Sequence, residues 1–156
     1  MLGLVLSLAR AAQAGGGDIF NADCAVCHQP DGRGIPGMYP PLADSVGAYV
    51  RIAQGRSYLV HAVSFGLSGA IAVHGTTYNG VMQPWPQLSD REVADVLDYV
   101  LTHFNGKVLP KDFKPFSAVE VKKYRARAAT MGGTHTEREA LMKALDSASA
   151  SARPAP

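Results

Sequence analysis

Cysteine is nearly absent from this chain: among 156 residues only Cys24 and Cys27 carry thiols. Two cysteines three positions apart exclude a disulfide framework. An excess of one charge is lacking as well. Lys and Arg number 15 against 13 Asp and Glu, a formal charge of +2, too balanced for a nucleic-acid binder. Long apolar runs are also missing, since none approaches the roughly 18–20 residues that a membrane-spanning helix needs. What the chain does have is core-forming material: 47% hydrophobic residues against 18% charged. That suffices for a packed core in a single domain and excludes wholesale disorder.

The chain starts with a short apolar stretch, Leu2 to Ala9 (LGLVLSLA), followed by Ala12-Gln13-Ala14 and three glycines. An apolar core ahead of a small-x-small triplet is how a secretory leader ends. Residues 1–14 are therefore read as a signal peptide, and the remainder as exported to the periplasm. One feature departs from that pattern: Arg10 follows the apolar run and no basic residue precedes it. A truncated anchor or a buried N-terminal helix stands as the alternative.

The two cysteines belong to one motif, Cys24-Ala25-Val26-Cys27-His28, and C-x-x-C-H is the attachment sequence for haem c. The chemistry needs this spacing. Two thiols one helical turn apart add to the two vinyl groups on one porphyrin edge, and the adjacent histidine offers Nε2 to the iron. A structural zinc site wants four ligands and a second cysteine pair, which does not exist here. A thioredoxin-like pair expects a βαβ pattern that the neighbouring sequence lacks. The expected cofactor is one haem c, covalent through Cys24 and Cys27, with His28 as a metal ligand.

From about Gly16 to Phe104 the chain resembles the monohaem class I cytochromes c. Phe20 stands four positions before Cys24, and Gly16 four before that. A glycine-rich loop, Asp31 to Gly37, follows the motif. Then come Tyr39-Pro40-Pro41-Leu42-Ala43, Tyr78-Asn79-Gly80-Val81-Met82, and a long amphipathic helix. The resemblance implies an all-α fold, three to five helices around one covalently bound haem. It also implies that Pro40, two places before Leu42, offers its carbonyl to the other nitrogen of the proximal histidine, fixing the ring.

The sixth position on the iron decides between electron transfer and ligand chemistry. Met38, Met82, Met131, Met142, His61, His74, His103 and His135 are the candidates. Met82 is preferred: it stands where the family places its methionine, within turn formers (Asn-Gly-Val-Met-Gln-Pro-Trp-Pro) that suit a non-helical strap. Gln83 intervenes before Pro84, where family members often have proline directly after the ligand. Met38 is read as packing near the proximal side, Met131 and Met142 as core filler, and the histidines as surface or structural. Tyr78 and Trp85 flank Met82 and can offer O–H and N–H to haem propionates; Arg51 is a further candidate for that role.

Ser89-Asp90-Arg91-Glu92 reads as a capping box opening a helix to Phe104, with Val93, Val96, Leu97, Val100, Leu101 and Phe104 as its apolar stripe. Asn105-Gly106 ends it, glycine supplying a left-handed turn. A middle helix is predicted over 48–65, split near Gly55 and Ser57. No stretch alternates at strand period. The haem domain thus covers 15–106, and a linker with helical extension covers 107–146. That extension holds a capped helix from Ser117 to about Ala129 and a short helix capped by Thr136 and reaching Leu145. Residues 147–156 are read as disordered. Lys122, Lys123, Arg125 and Arg127 form a candidate docking patch for an acidic partner, although most such runs are solvated helix faces.

These features point to an electron carrier rather than an enzyme. Its expected partners are redox proteins, a dehydrogenase or oxidase, with association to a membrane-bound complex and no nucleic acid. A haem-based sensor or a peroxidase-like protein with an open or displaceable sixth ligand is the alternative, separable by carbon monoxide binding to the ferrous form.

Overall fold

The computed structural model describes residues 14–151. The predicted leader, apart from Ala14, lies outside the described residues. Helical structure begins with α1 (Gly16–Ile19), widens into a π turn (Phe20–Cys24) and resumes as α2 (Ala25–His28). This segment packs against α4 (Asp90–Phe104), the helix with the clearest sequence pattern. The capping box at its start is formed: Ser89 Oγ accepts from Glu92 N–H at 3.3 Å, and Glu92 accepts from Ser89 N–H at 2.8 Å. Each satisfies a backbone donor that the first helical turn leaves open.

Val93, Val96, Leu97, Val100 and Leu101 are buried along one stripe of α4. Where the helices cross, a Cβ on Gly16 would overlap the Asp95 carbonyl, so only glycine permits the approach. Phe20 fills the space beside the crossing, fully buried with its ring 5.6 Å from Tyr99 and 5.0 Å from Phe104.

The end of α4 differs from expectation. Gly106 has no positive φ; the helix closes on Asn105, at φ −122° and ψ 20°. Its side-chain amide donates to Val100 O at 2.9 Å, and its side-chain carbonyl accepts from Ser45 N–H at 3.1 Å and Gly47 N–H at 2.9 Å. Asn105 is completely buried. Asn105→Ala leaves these backbone groups without partners and is expected to cost about 3 kcal/mol in guanidinium unfolding of the holoprotein.

The middle helical region breaks at Ile52, not near Gly55. A 3-10 helix (Val46–Arg51) precedes α3 (Ala53–Phe65), and Ile52 is extended at φ −130° and ψ 152°. Gly55 lies inside α3, where a Cβ would overlap the Tyr49 carbonyl.

The absence of strands is also corrected. β1 (Leu67–Val73) and β2 (Thr76–Met82) form an antiparallel hairpin with Leu67 opposite Met82 and Val73 opposite Thr76. His74 and Gly75, at φ 49° and 78°, make the two-residue turn, the type I′ geometry that matches strand twist. Small residues at Ser68, Gly69, Ala70 and Ala72 erase the polarity contrast that alternation would show. The fold stays mostly helical, with this hairpin as an addition.

The extension folds back on the domain. α5 (Ala118–Arg125) packs on α4 and α3, and α6 (Met131–Ser151) packs on α3 and β1. Phe116, Val121 and Leu141 join the core. Three ion pairs accompany them. Arg56 meets Glu120 with both contacts at 2.7 Å, Arg125 meets Asp90 at 2.9 Å, and His61 meets Glu137 at 2.7 Å. Arg125 is therefore engaged within the fold, and the predicted basic docking patch is reduced to Lys122, Lys123 and Arg127. The last helix starts earlier and ends later than expected. Thr130 Oγ1 accepts from Gly133 N–H at 3.0 Å and takes the capping role assigned to Thr136, which instead bonds Gly132 O inside the helix. Residues 147–151 are helical rather than disordered, and 152–156 lie outside the described residues. No helix among the described residues is long and apolar enough to cross a membrane.

His61 is buried between two acceptors, Glu137 Oε2 on Nδ1 and the Tyr124 carbonyl on Nε2 at 3.0 Å. The Glu137 carboxylate raises its pKa above the ordinary 6.5 against the opposing effect of burial. Between that value and the raised one the folded state holds a proton that the unfolded chain releases. Stability therefore falls as pH climbs through the window. Denaturant midpoints should decline as pH rises from 6.5 through the raised value, and Glu137→Gln should flatten the decline.

Candidate functional site: a cleft around the Cys-His segment

A cleft of about 290 Å³ opens between α2, the loop after it and the hairpin. Cys24, Cys27 and His28 line one part of it; Leu67, Gly69 and Ile71 of β1 and Tyr78, Val81 and Met82 of β2 line another. Met38, Pro40 and Trp85 contribute as well.

Both cysteines are half-buried free thiols. Positions three apart share one helix face, so both sulfurs reach the same cleft. Burial pushes the Cys24 thiol up to about 11, with Asp23 and Cys27 adding to the effect. The π turn that ends on Cys24 widens the helix, and such turns recur at functional sites.

His28 is 8% exposed, and its Nδ1 donates to the Pro40 carbonyl at 2.9 Å. With the proton on Nδ1, Nε2 keeps its lone pair. Burial lowers the His28 pKa, opposed by the Pro40 contact, which favours the neutral imidazole that metals bind.

The loop after α2 is built to deliver that carbonyl. Gly34 N–H bonds His28 O at 2.9 Å, and Ile35 and Tyr39 exchange bonds of 2.9 and 2.8 Å. Gly34 sits at φ 64°, and a Cβ there would overlap the Tyr39 carbonyl. Leu42 and Ala43 N–H both bond Gly32 O, at 2.8 and 2.9 Å, which anchors the far end.

Met82 is the last residue of β2 and is half-buried at the cleft. The expectation of a turn-rich strap is corrected in this respect: the methionine is carried by a strand, and the irregular segment begins after it. Trp85 N–H bonds Val63 O at 2.9 Å and ties that segment to α3. The Tyr78 hydroxyl and Trp85 indole N–H make no protein hydrogen bond among the described residues, although both side chains line the cleft. Arg51 is placed elsewhere; it reaches the Val108 carbonyl at 3.4 Å in a separate groove.

Of the other sixth-ligand candidates, Met38 lines the cleft mouth at 59% exposure instead of packing in the interior. His61 is held by Glu137, His74 forms the hairpin turn, His103 stacks on Tyr99 at 4.8 Å, and His135 bonds the Ala70 carbonyl at 2.8 Å. Met131 and Met142 belong to α6. Among the described residues His28 is the sole histidine lining the cleft. Sequence reasoning missed Leu67, Gly69 and Ile71. The available signal was the His74-Gly75 pair between a β-branched stretch and Thr76-Thr77-Tyr78.

The donor set fits a haem: two thiols on one helix face, an imidazole with its outer nitrogen anchored, a thioether, apolar walls, and two unpartnered donors suited to carboxylates. No group of three or more His, Cys, Asp or Glu among the described residues is placed to hold a bare metal ion.

The family model for cytochrome c matches residues 13–104. The chain is 45% identical over 138 residues to a cytochrome c-552 of Thermus thermophilus, spanning 88% of this chain and 93% of that protein. It is 30% identical over 105 residues to the cytochrome c subunit of a quinone alcohol dehydrogenase from Gluconacetobacter polyoxogenes, 66% of this chain but 21% of that subunit. A fructose dehydrogenase cytochrome subunit of Gluconobacter japonicus is 32% identical over 97 residues and is covered over 19% of its length. The chain therefore belongs to the cytochrome c family, electron carriers that hold haem c covalently.

Proposed function

We propose that this protein is a periplasmic electron carrier whose haem is held by thioethers from Cys24 and Cys27 and ligated by His28 and Met82. The observation that carries this reading is the convergence of all four side chains on one cleft, with His28 oriented by Pro40 at 2.9 Å. The haem supplies one-electron chemistry when bound. The chain's part is to hold Nε2 toward the iron, to supply a soft sulfur that favours the ferrous state, and to keep water from the apolar interior. Tyr78 and Trp85 are assigned to the propionates.

The mouth of the cleft is apolar. Val26 is 75% exposed, Met38 59% and Val81 55%. Exposed apolar residues gathered at one opening mark a contact surface, here for a redox partner. Relatives that are cytochrome subunits of an alcohol dehydrogenase (quinone) and of a fructose dehydrogenase support a dehydrogenase as donor, with a terminal acceptor such as an oxidase downstream. The apolar Leu2–Ala9 run and Ala12-Gln13-Ala14 support export.

Two measurements on purified holoprotein test the proposal. Acid–acetone extraction should leave the colour on the polypeptide; a colourless chain would end the covalent reading. Carbon monoxide should leave the ferrous spectrum unchanged, and prompt binding would instead favour a sensor or peroxidase-like role.

A further inference from the structure

The hairpin that carries Met82 is two strands wide, and such a ribbon has little stability of its own. Its register shows where support is needed. Val73 and Thr76 flank a two-residue turn, so they form a hydrogen-bonded pair, as do Ile71 with Tyr78, Gly69 with Gly80 and Leu67 with Met82. The alternate residues of β1, among them Ala70 and Ala72, direct their carbonyls away from β2.

α6 meets both of these carbonyls. His135 Nε2 lies 2.8 Å from Ala70 O, and Arg138 Nη2 donates to Ala72 O at 2.8 Å. The match is geometric. Strand carbonyls two residues apart are separated by about 6.8 Å. Helix positions three apart rise about 4.5 Å on one face, and the longer arginine makes up the difference. Arg138 is buried at 6% exposure, with Tyr49 Oη as a further contact at 3.4 Å.

Gly69 shows how closely the imidazole approaches. It sits at φ 121°, and a Cβ there would lie 2.7 Å from His135 Cδ2. Gly69 also lines the cleft, so His135 packs against a residue of the cleft wall. At the hairpin base, a Cβ on Gly66 would lie 2.5 Å from Met82 O and 3.1 Å from Met131 Cγ. The first turn of α6 thus packs beside the backbone of Met82 itself.

We propose that α6 braces the Met82 hairpin, with His135 and Arg138 as positioning residues that slow release of the methionine from the iron. The inference rests on Met82 being the sixth ligand. For that sulfur to leave, β2 must move, and β2 is paired with β1 along its length. Holding β1 from its far side therefore holds the ligand. The C-terminal extension is in this view part of the redox site, and it sets how rarely small molecules reach the metal.

The test is the rate at which imidazole replaces the methionine in the full-length ferric holoprotein, followed by loss of the sulfur-to-iron band. His135→Leu and Arg138→Met should each accelerate replacement about tenfold, the effect of losing one hydrogen bond. Amide exchange along residues 67–82 should quicken with it. His135→Gln, which keeps a donor, should restore most of the wild-type rate. Arg56→Met breaks the Glu120 contact between α3 and α5, away from both the hairpin and the segment after Met82, and should leave the rate within about twofold. Unchanged rates in His135→Leu and Arg138→Met would overturn the brace. So would equal acceleration in Arg56→Met, because the effect would then be general loosening. If the wild-type protein shows no sulfur band, the ligand assignment fails and the proposal falls with it. A band present with unmoved rates removes the brace alone.

Discussion

Replacing Met82 with alanine is expected to erase the weak near-red band of the ferric protein and to make the ferrous protein bind carbon monoxide. Both effects follow from the position of the residue. Met82 closes β2 opposite Leu67, at the same cleft as Cys24, Cys27 and His28. No histidine besides His28 lines that cleft among the described residues, and Met38 is at its exposed mouth. A truncated side chain therefore has no ready replacement. Losing a soft thioether removes the preference for ferrous iron, so the reduction potential should fall by on the order of 0.1–0.3 V. The polypeptide should stay coloured after acid–acetone extraction, because the cysteine tethers are untouched. A retained near-red band would mean that another residue supplies the sulfur.

The second large effect lies in the core. Phe20→Ala is expected to cost about 3–5 kcal/mol of unfolding free energy, the usual range for deleting a fully buried aromatic ring. Phe20 has no exposed surface, contacts Tyr99 and Phe104, and sits at the π turn that leads into Cys24. The resulting cavity would sit where α1 and α4 cross, close to the attachment segment, and the glycine-enabled approach at Gly16 prevents simple collapse. Phe20→Leu keeps most of the volume and should cost clearly less. Guanidinium unfolding of the holoproteins distinguishes the two. A loss under about 1 kcal/mol for the alanine variant would show that the crossing repacks.

Features encoded within a few residues are legible in the sequence. Cys24, Cys27 and His28 announce their chemistry through spacing alone, and Ser89 to Phe104 carries its cap and its stripe in one continuous segment. Pro40 was legible only through resemblance; its contact with His28 depends on a loop whose closure at Gly34 and Gly32 no local pattern displays. The hairpin was missed because Ser68, Gly69, Ala70 and Ala72 carry little hydropathy contrast, although His74-Gly75 was a fair turn signal. In the extension, Thr136-x-x-Glu139 imitated a capping box inside a helix that starts at Met131 under Thr130. Glu137 and Arg138 stand inside that apparent box, yet they engage His61 and the Ala72 carbonyl. Partners that far apart in the chain leave no trace in a window of sequence.

Asn105 has a consequence for the order of assembly. Its side-chain carbonyl clasps the backbone at residues 45 and 47, separations of 60 and 58 positions. A growing chain therefore cannot fasten the segment behind the Cys-His turn until all of α4 has emerged. Until then the two thiols stand on an open, unlatched stretch of polypeptide. Such late, long-range closure slows folding, and the delay leaves an interval in which a bulky planar molecule can be stitched in before the walls close.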